Sequence, residues 1–247
     1  MGAFGLTGRR VLVTGASRGI GLAVARAFAA EGCDVTLLAE TDEVVRAAEG
    51  VGSAIVCDVT DPAAVATIDP GPLDILVNNA GLERETRLDD PAAADLCARL
   101  VDINITGMFR VTQRVLPLLG EGAAIVNTAS VWGRLAPAGF SAYAATKHAV
   151  IGLTRSWSRE LAPRKIRVNA VCPGWVATEA ALVSLATMAG RRGVSEDAVR
   201  AEIEAAQDIA GVMAPQDVAS LYLFLASDLA ANITGQSVNV DRGEHQA

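Results

Sequence analysis

Tyr143 and Lys147 are the side chains whose types and spacing best suit proton chemistry. They stand four positions apart in a stretch with the apolar periodicity of a helix, so both project from one face. A free phenol titrates near about pH 10, too high for a useful base, but an adjacent ammonium favours the phenolate. We therefore expect Lys147 to lower the pKa of Tyr143, which would exchange a proton with an alcohol or carbonyl oxygen.

Two further polar residues are candidates for the same site. Ser130 follows the fifth predicted strand, where its hydroxyl can hydrogen-bond a substrate oxygen beside the phenol. Asn104 lies within a long predicted helix, where Asn is mildly unfavourable, so a functional use of its amide or carbonyl is worth considering. Taken alone, each of these residues could equally be an ordinary surface, loop or helix side chain without a catalytic role. The convergence of four suitable types favours a site.

A glycine-rich turn, Thr14–Gly21, precedes these residues in the chain. It follows the first predicted strand and opens the first helix, so backbone N–H groups at a positive helix terminus can face a pyrophosphate. A side chain at Gly15 would crowd the turn, one at Gly19 would block the phosphate, and one at Gly21 would separate helix and strand. The turn predicts a dinucleotide site.

Polar residues after the next strands extend this site. Glu40 stands 19 residues after Gly21, where an acid accepts hydrogen bonds from ribose hydroxyls and repels a 2′-phosphate, which favours NAD over NADP. Its alternative is a solvated loop acid, since further acids follow it closely. Arg18 is a poor phosphate ligand opposite that acid. Asp58 and the run 78–81 end the third and fourth strands; their alternative role, loop capping, is compatible with binding.

The elements that must position these residues alternate between short β-branched runs and Ala-rich helical stretches. This order predicts an α/β fold: one doubly wound, seven-stranded parallel sheet with helices on both faces, in a single domain over residues 1–247. The predicted strands are Arg10–Thr14, Val35–Ala39, Ala54–Cys57, Ile75–Asn78, Ala124–Thr128, Arg167–Val171 and Ser237–Val240.

A long connection, residues 175–211, joins the last two predicted strands. We interpret it as a substrate lid, because long connections in compact domains are often functional; the alternative is a helical insertion without ligand contact. Arg191 and Arg192 within it are either a solvated pair or partners for a carboxylate or phosphate. A partly apolar pocket is suggested by Trp132, Leu135, Phe140, Trp175, Val176, Leu182 and Leu185, unless several of these are core residues.

Composition excludes several classes of function. A net charge of -7 and a pI of about 4.9 argue against nucleic-acid binding. Apolar residues arrive in short runs, so we expect no membrane span, and the absence of an apolar signal core near the start favours the cytoplasm. The four cysteines lack CxxC spacing or a His cluster, so we predict reduced thiols and no metal site, with Cys172 either buried or reactive. Two histidines support no hydrolase triad.

The run TGASRGIG, the run NNAG, Asn104, Ser130 and the YxxxK of Tyr143 and Lys147 resemble the short-chain dehydrogenase/reductase family, and in particular its 3-oxoacyl reductases and 3-hydroxybutyrate dehydrogenases. The resemblance covers essentially the whole chain and implies a Rossmann fold. It implies that Tyr143 is the acid/base, Lys147 its ribose-binding partner, Ser130 the substrate-oxygen ligand and Asn104 the holder of a relay water. It also implies a homodimer or homotetramer, with the closing segment Gly235–Gly243 packing across subunits.

The resemblance extends to the cofactor. It implies adenine contacts from Asp58 and Val59, a turn beside the nicotinamide at Pro173-Gly174, and a carboxamide contact from Thr178. The residues expected to contact the dinucleotide are Gly15, Ser17, Arg18, Gly19, Ile20, Gly21, Glu40, Asp58, Val59, Asn79, Ala80, Gly81, Tyr143, Lys147, Pro173, Gly174, Val176 and Thr178.

Two positions depart from the family pattern. NAD-preferring members commonly carry the acid at the position of Ala39, and an arginine at the position of Glu40 often accompanies NADP, so Glu40 argues against NADP more firmly than for NAD. Asp241-Arg242-Gly243 replaces the usual Asp-Gly-Gly. We expect an NAD-linked oxidoreductase for a secondary alcohol or ketone, of hydroxy acid, polyol or 3-oxoacyl type. The alternatives are a non-catalytic redox sensor and an NADPH-dependent 3-oxoacyl or polyketide ketoreductase.

Overall fold

Seven parallel strands form the centre of the computed structural model, which describes residues 4–246. Their order is β3-β2-β1-β4-β5-β6-β7, so chain progression reverses direction between β1 and β4 and leaves a crevice beyond their carboxyl ends. All seven predicted strands are present, although β5 begins five residues earlier than predicted. The strands are β1 (Arg10–Thr14), β2 (Asp34–Ala39), β3 (Ser53–Val56), β4 (Leu73–Asn78), β5 (Leu119–Thr128), β6 (Arg167–Pro173) and β7 (Ser237–Val240).

Helices connect the strands and cover both faces of the sheet. A π-helical turn, Asp102–Gly107, interrupts the long predicted helix that carries Asn104. The helix that carries Tyr143 and Lys147 is present and begins two residues before Tyr143. The α-helices of the described part are α1 (Gly19–Ala30), α2 (Glu43–Ala47), α3 (Pro62–Ala66), α4 (Ala93–Val101), α5 (Met108–Val115), α6 (Ser141–Glu160), α7 (Glu179–Arg192), α8 (Glu196–Ala205) and α9 (Pro215–Ala226).

Strand β1 shows how the sheet divides the core. Val11 and Val13 face a cluster that includes Phe28 of α1 and Tyr222 of α9. Leu12, between them, faces the opposite cluster, to which α5 and α6 contribute. Each fully buried large apolar side chain stabilises the fold by roughly 1.5–3 kcal/mol. Because both faces are covered, the strand is apolar throughout rather than alternating.

A row of polar side chains crosses this core beneath the carboxyl edge of the sheet. Asn78 of β4 donates one amide hydrogen bond to Thr112 of α5 (2.9 Å) and one to the Asn127 side chain of β5 (3.0 Å). Asn127 in turn donates to Thr154 of α6 (3.0 Å). All four are buried, so each bond lost would leave a costly unpaired group. The row fixes α5 and α6 relative to the strands.

Candidate active site

The carboxyl ends of the central strands border one cavity of about 490 Å³. Ser130, Tyr143 and Lys147 line it together with the glycine-rich turn, and a smaller hollow of about 150 Å³ shares Gly15 and Arg18 with it and reaches Glu40. Pockets of this size suit small-molecule and cofactor ligands. The structure thus brings the predicted dinucleotide turn and the predicted proton-transfer residues to one cleft.

Nearly all residues predicted to contact the dinucleotide lie in these walls. Gly21 lies in neither wall; a Cβ there would meet the Gly15 carbonyl and the Asn79 amide, so the glycine lets α1 pack against the turn. The larger cavity is lined by Gly15, Arg18, Gly19, Ile20, Asn79, Gly81, Tyr143, Lys147, Pro173, Gly174, Val176 and Thr178, and the smaller hollow adds Ser17, Glu40, Asp58, Val59 and Ala80.

The glycine-rich turn has the shape of a phosphate cradle. Gly15 has φ +63°, and a Cβ there would lie 2.7 Å from the Ala80 backbone. Gly19 has φ +57° and begins α1, whose N-cap residue Arg18 makes no side-chain cap. The first N–H groups of α1 therefore stay available at the positive end of a twelve-residue helix beside the cavity. These residues fit the pyrophosphate of a nicotinamide dinucleotide.

Asn79 and Asp58 line the cavities and also form hydrogen bonds that stabilise the neighbouring loops. The Asn79 amide donates to the carbonyls of Thr14 (3.2 Å) and Gly15 (3.1 Å), which holds the turn against the end of β4. The Asp58 carboxylate accepts from the backbone N–H and the hydroxyl of Thr60, both at 2.8 Å. Loop capping and wall formation thus coexist at both positions, as the sequence had allowed.

The ribose end of the smaller hollow is acidic. Glu40 follows β2 directly and is exposed. Arg18, which lines the same hollow, forms an ion pair with Glu43 (3.3 Å). The only other cation among the described residues lining this hollow is Arg99.

Tyr143 and Lys147 lie on one face of α6, as their spacing predicts. The Lys147 Nζ is 5.5 Å from the centre of the Tyr143 ring and donates a 2.8 Å hydrogen bond to the Thr128 carbonyl. Ser130 lies beside the phenol and acts to lower its pKa, and its hydroxyl oxygen accepts from the Trp132 N–H (3.1 Å). The ammonium, the phenol and the hydroxyl therefore share one wall of the cavity.

The titration behaviour of this pair differs from our expectation. Burial raises the pKa of Tyr143 above its usual value, the nearby Glu83 carboxylate raises it further, and the hydrogen bond with Ser130 opposes both. Burial lowers the pKa of Lys147 to about 8, although Glu83 counteracts that shift. The expected net depression of the Tyr143 pKa by Lys147 is therefore wrong here, because loss of hydration outweighs the attraction of an ammonium 5.5 Å from the ring.

Asn104 lies behind the cavity wall rather than in it. Its side-chain oxygen accepts from the Leu82 N–H (2.7 Å), and its amide donates to the Leu82 carbonyl (2.9 Å) and to the Thr146 hydroxyl (3.0 Å). The side chain is thus fully engaged in fixing the backbone that follows Gly81. The π-helical turn that presents it is a feature often found at functional sites.

The substrate side of the cavity is partly apolar, as predicted, but only some of the residues predicted for it line the wall. Trp132, Trp175 and Val176 do line it. The other four predicted wall residues do not. Phe140 packs beneath Trp132 with ring centres 4.8 Å apart, Leu185 is buried between α7 and α8, Leu182 is exposed, and Leu135 lies outside the wall.

Helices α7 and α8 form a hairpin over the cavity within the predicted lid. Its base is fixed by a bridge between Val176 and Met213. Arg192 forms a two-pronged ion pair with Glu202 across the hairpin (2.6 and 2.7 Å), and Arg191 pairs with Glu85 (2.6 Å). Neither arginine is simply solvated, and neither awaits a ligand, because each is paired with an acid of this chain.

Several polar wall residues were not predicted from the sequence, among them Glu83, Ser184 and Glu244. Glu83 lies two residues after Gly81, Ser184 comes from α7, and Glu244 comes from the C-terminal segment. Glu83 had a detectable signal, because it closely follows a strand whose carboxyl end was already assigned to the site. Ser184 and Glu244 had none, since only tertiary packing brings them to the cavity. Conversely, Cys172 is buried with a raised pKa, which matches the unreactive alternative.

Comparison with known proteins identifies the family. The family described as enoyl-(acyl carrier protein) reductase matches residues 15–245. The chain belongs to the short-chain dehydrogenase/reductase family. This confirms the resemblance found in the sequence, and with it an oxidoreductase that acts on CH–OH or oxo groups with a nicotinamide dinucleotide.

Named relatives differ in substrate. The chain is 36% identical to the 3-oxoacyl-(acyl-carrier-protein) reductase FabG of Thermotoga maritima, over 96% of this chain and 98% of that protein. It is 31% identical to the D-beta-hydroxybutyrate dehydrogenase of Cupriavidus necator, over the same shares of both chains. The ligand-free aldohexose dehydrogenase of Thermoplasma acidophilum superposes with a TM-score of 0.87 at 33% identity, over 98% of this chain and 96% of that one.

Two other features are absent from residues 4–246. No helix there is both long and apolar enough to cross a membrane. Within the same residues, no three His, Cys, Asp or Glu side chains come together in a way that would hold a metal ion. All four cysteines are free thiols.

Proposed function

We propose that this dehydrogenase/reductase transfers hydride between NAD and a secondary alcohol or ketone, with Tyr143 as proton donor and acceptor. The observation that carries the proposal is the common cavity of the Tyr143–Lys147 pair and the uncapped N-terminus of α1. A phosphate-binding terminus and a proton-transfer pair in one cleft satisfy the geometric requirements of a nicotinamide-dependent enzyme.

The dinucleotide supplies the hydride-accepting or hydride-donating ring, and this chain's residues do the remainder. In oxidation the phenolate form of Tyr143 removes the hydroxyl proton, and in reduction the phenol donates its proton to the carbonyl oxygen. Ser130, which lines the cavity beside the phenol, orients the reacting oxygen and stabilises the charge that develops on it. Lys147 holds the ribose and adds positive charge beside the phenol. Asn104 fixes the Leu82 backbone at the cavity edge, and a relay water beside it remains part of the proposal.

NAD is the favoured cofactor. Glu40 at the ribose end would repel a 2′-phosphate, and Arg18 is already neutralised by Glu43. An NADPH-dependent 3-oxoacyl reductase is the second candidate, supported by the name of the FabG relative. A sensor that binds the dinucleotide without turnover is the third, and the presence of Ser130, Tyr143 and Lys147 in the wall speaks against it.

The reaction is tested with purified protein, NAD and a panel of hydroxy acids, polyols and secondary alcohols, by following NADH absorbance. Tyr143→Phe keeps the ring and removes the proton-transfer hydroxyl, so we expect turnover to fall by roughly 10²- to 10⁴-fold. Binding of NADH, measured by its fluorescence, should change little. Turnover that survives the substitution unchanged would refute the role of the phenol. Tight NADH binding without any turnover by the wild type would favour the sensor.

Cofactor choice is tested by titrating the protein with NADH and with NADPH. We expect tighter binding of NADH, and Glu40→Gln should narrow the difference by roughly tenfold, because one repulsive charge is removed. Glu160→Gln, an equal charge change at an exposed position of α6, is the control. Preference for NADPH in the wild type would replace NAD by NADP in the proposal.

We propose a homodimer or homotetramer acting on a small molecule in the cytoplasm. Common oligomerisation in the family supports the assembly, with Gly235–Gly243 as the expected contact segment. Light scattering on the purified protein decides it, since a mass of 25.5 kDa would indicate a monomer.

A further inference from the structure

Glu83 is a carboxylate placed beside the reacting groups. It lines the cavity two residues after Gly81 and is partly buried, and Ser184 of α7 lines the same cavity. Its charge acts on both members of the proton-transfer pair, Tyr143 and Lys147. The backbone that carries it is held rigidly, because Asn104 binds both polar groups of the preceding Leu82. A carboxylate that is fixed and partly removed from water in a cavity wall lowers stability unless it gains a hydrogen-bond donor, which a ligand hydroxyl can supply.

A second carboxylate, Glu244, faces the same cavity. It lies against Gly174, where an added Cβ would come within 2.8 Å of its Oε2. That oxygen is buried and has no hydrogen-bond partner among the described residues. The cavity thus offers hydrogen-bond acceptors from two directions, Glu83 from the loop after β4 and Glu244 from the C-terminal segment.

Lys147 is the one cation among the described wall residues that acts on Glu83 without a side-chain ion pair of its own. The cations there are Arg18, Lys147 and Arg192. Arg18 is paired with Glu43, and Arg192 with Glu202. Lys147 belongs to the proton-transfer pair. A substrate carboxylate or phosphopantetheine phosphate would meet negative charge without a receiving partner.

We propose that Glu83 selects a neutral, polyhydroxylated substrate of the aldose or polyol class, by accepting a hydrogen bond from a hydroxyl next to the reacting carbon. Carboxylic acids of the 3-hydroxybutyrate type and carrier-bound 3-oxoacyl chains are rejected. The proposal rests on the function proposed above. In oxidation the hydride leaves carbon for the nicotinamide with both C–H electrons, the hydroxyl proton passes to the Tyr143 phenolate to give the phenol, and the C=O bond forms. Glu83 orients the substrate and takes up neither electrons nor protons.

The test compares the wild type with Glu83→Gln, Glu83→Asp and the exposed control Glu160→Gln. Initial rates with NAD are measured on D-glucose, D-galactose and D-glucitol and on 3-hydroxybutyrate, and in reverse on an acetoacetyl thioester. The wild type should favour a neutral polyol over the acid by at least about tenfold in kcat/KM. Glu83→Gln should lose roughly 10- to 100-fold in kcat/KM for the polyol, mainly through KM, and gain on the acid, since a charge-assisted hydrogen bond is worth about that factor. Glu83→Asp should retain the preference, and Glu160→Gln should match the wild type.

A binding measurement separates this proposal from the function on which it rests. Trp132 and Trp175 lie in the wall, so tryptophan fluorescence of the NAD-loaded protein reports occupancy directly. Polyol affinity should fall at least about tenfold in Glu83→Gln. A wild type that prefers 3-hydroxybutyrate or the thioester, or a Glu83→Gln variant that binds and turns over polyols like the wild type, overturns the assignment of Glu83 even while Tyr143→Phe remains inactive. Absence of turnover with every substrate sinks the proposed reaction, and the fluorescence titration still decides the role of Glu83.

Discussion

The side chain of Lys147 occupies an unfavourable environment for an ammonium. It is 5% exposed, and burial lowers its pKa to about 8 from an ordinary value of 10.5. Below pH 8 the folded protein therefore holds a charge in a place that disfavours it. Between about pH 8 and 10.5 the unfolded chain binds this proton and the folded protein does not, so stability rises with pH across that window.

Replacing Lys147 by Met removes this titration. Between pH 8 and pH 10 we expect the free energy of unfolding of the wild type to rise relative to that of Lys147→Met by up to about 3 kcal/mol, which raises the relative melting temperature by several degrees. Calorimetry of both proteins at several pH values measures the difference in melting temperature. Titrating groups that the two proteins share contribute equally to both and cancel in that difference. A difference that is flat with pH, or that falls, would show that the ammonium is not destabilised by its surroundings.

For single residues, the sequence predicted which side chains share a helix face, but it did not predict how deeply each side chain is buried or which charges surround it. The four-residue interval between Tyr143 and Lys147 is a local property, so the shared helix face followed directly. The direction of the Tyr143 pKa shift did not, because it depends on burial and on Glu83, which approaches from another element. The loss of hydration on folding depends on tertiary contacts, so it cannot be predicted from the residues adjacent in sequence.

The π-helical turn between α4 and α5 acts through one side chain. By binding the N–H and the carbonyl of Leu82, Asn104 connects this turn to the loop that carries Glu83. We expect Asn104→Ala to lower the free energy of unfolding by about 2–4 kcal/mol, since several buried polar groups lose partners. It should also reduce kcat/KM by roughly tenfold, because a loosened loop misplaces the substrate. Denaturant titration and steady-state kinetics measure the two effects.

Asn127→Ala is the matched control for this element. Asn127 is equally buried and also bridges elements through its amide, but it lies in the polar row beneath the cavity. It should lose comparable stability and keep its activity at temperatures well below melting. Equal losses of activity in both variants would mean that Asn104 acts through general stability alone.

The positions of most strands and helices were predicted from the sequence. Strand positions followed from short apolar runs. The start of β5 and the end of β6 extend beyond the prediction, because pairing with neighbouring strands, and not local composition, decides where a strand ends. Helix α7 was harder. Its apolar residues suggested a pocket wall, yet Leu185 packs toward α8 and Leu182 faces outward, since a helix in a hairpin buries one side against its partner.

Across the whole molecule, the sheet connects the cofactor half to the substrate half without a break. We expect a single unfolding transition, with far-ultraviolet circular dichroism and tryptophan fluorescence melting together, as for one cooperative domain. NAD at about 100 times its dissociation constant should raise that transition by roughly 5–10 °C, from about 2.7 kcal/mol of binding linkage. An earlier fluorescence transition would indicate that the α7–α8 hairpin opens separately and that residues 1–247 do not form one unit.

The polar row from Thr112 through Asn78 and Asn127 to Thr154 has a consequence for how the protein ages in use. Neither α5 nor α6 can slip by even one position without stranding amides where water does not reach. A partial displacement of α5 or α6 that lowered activity by degrees would therefore cost too much free energy to be populated. Heat inactivation during storage should be abrupt, with surviving molecules fully active rather than a population of slowly weakening ones.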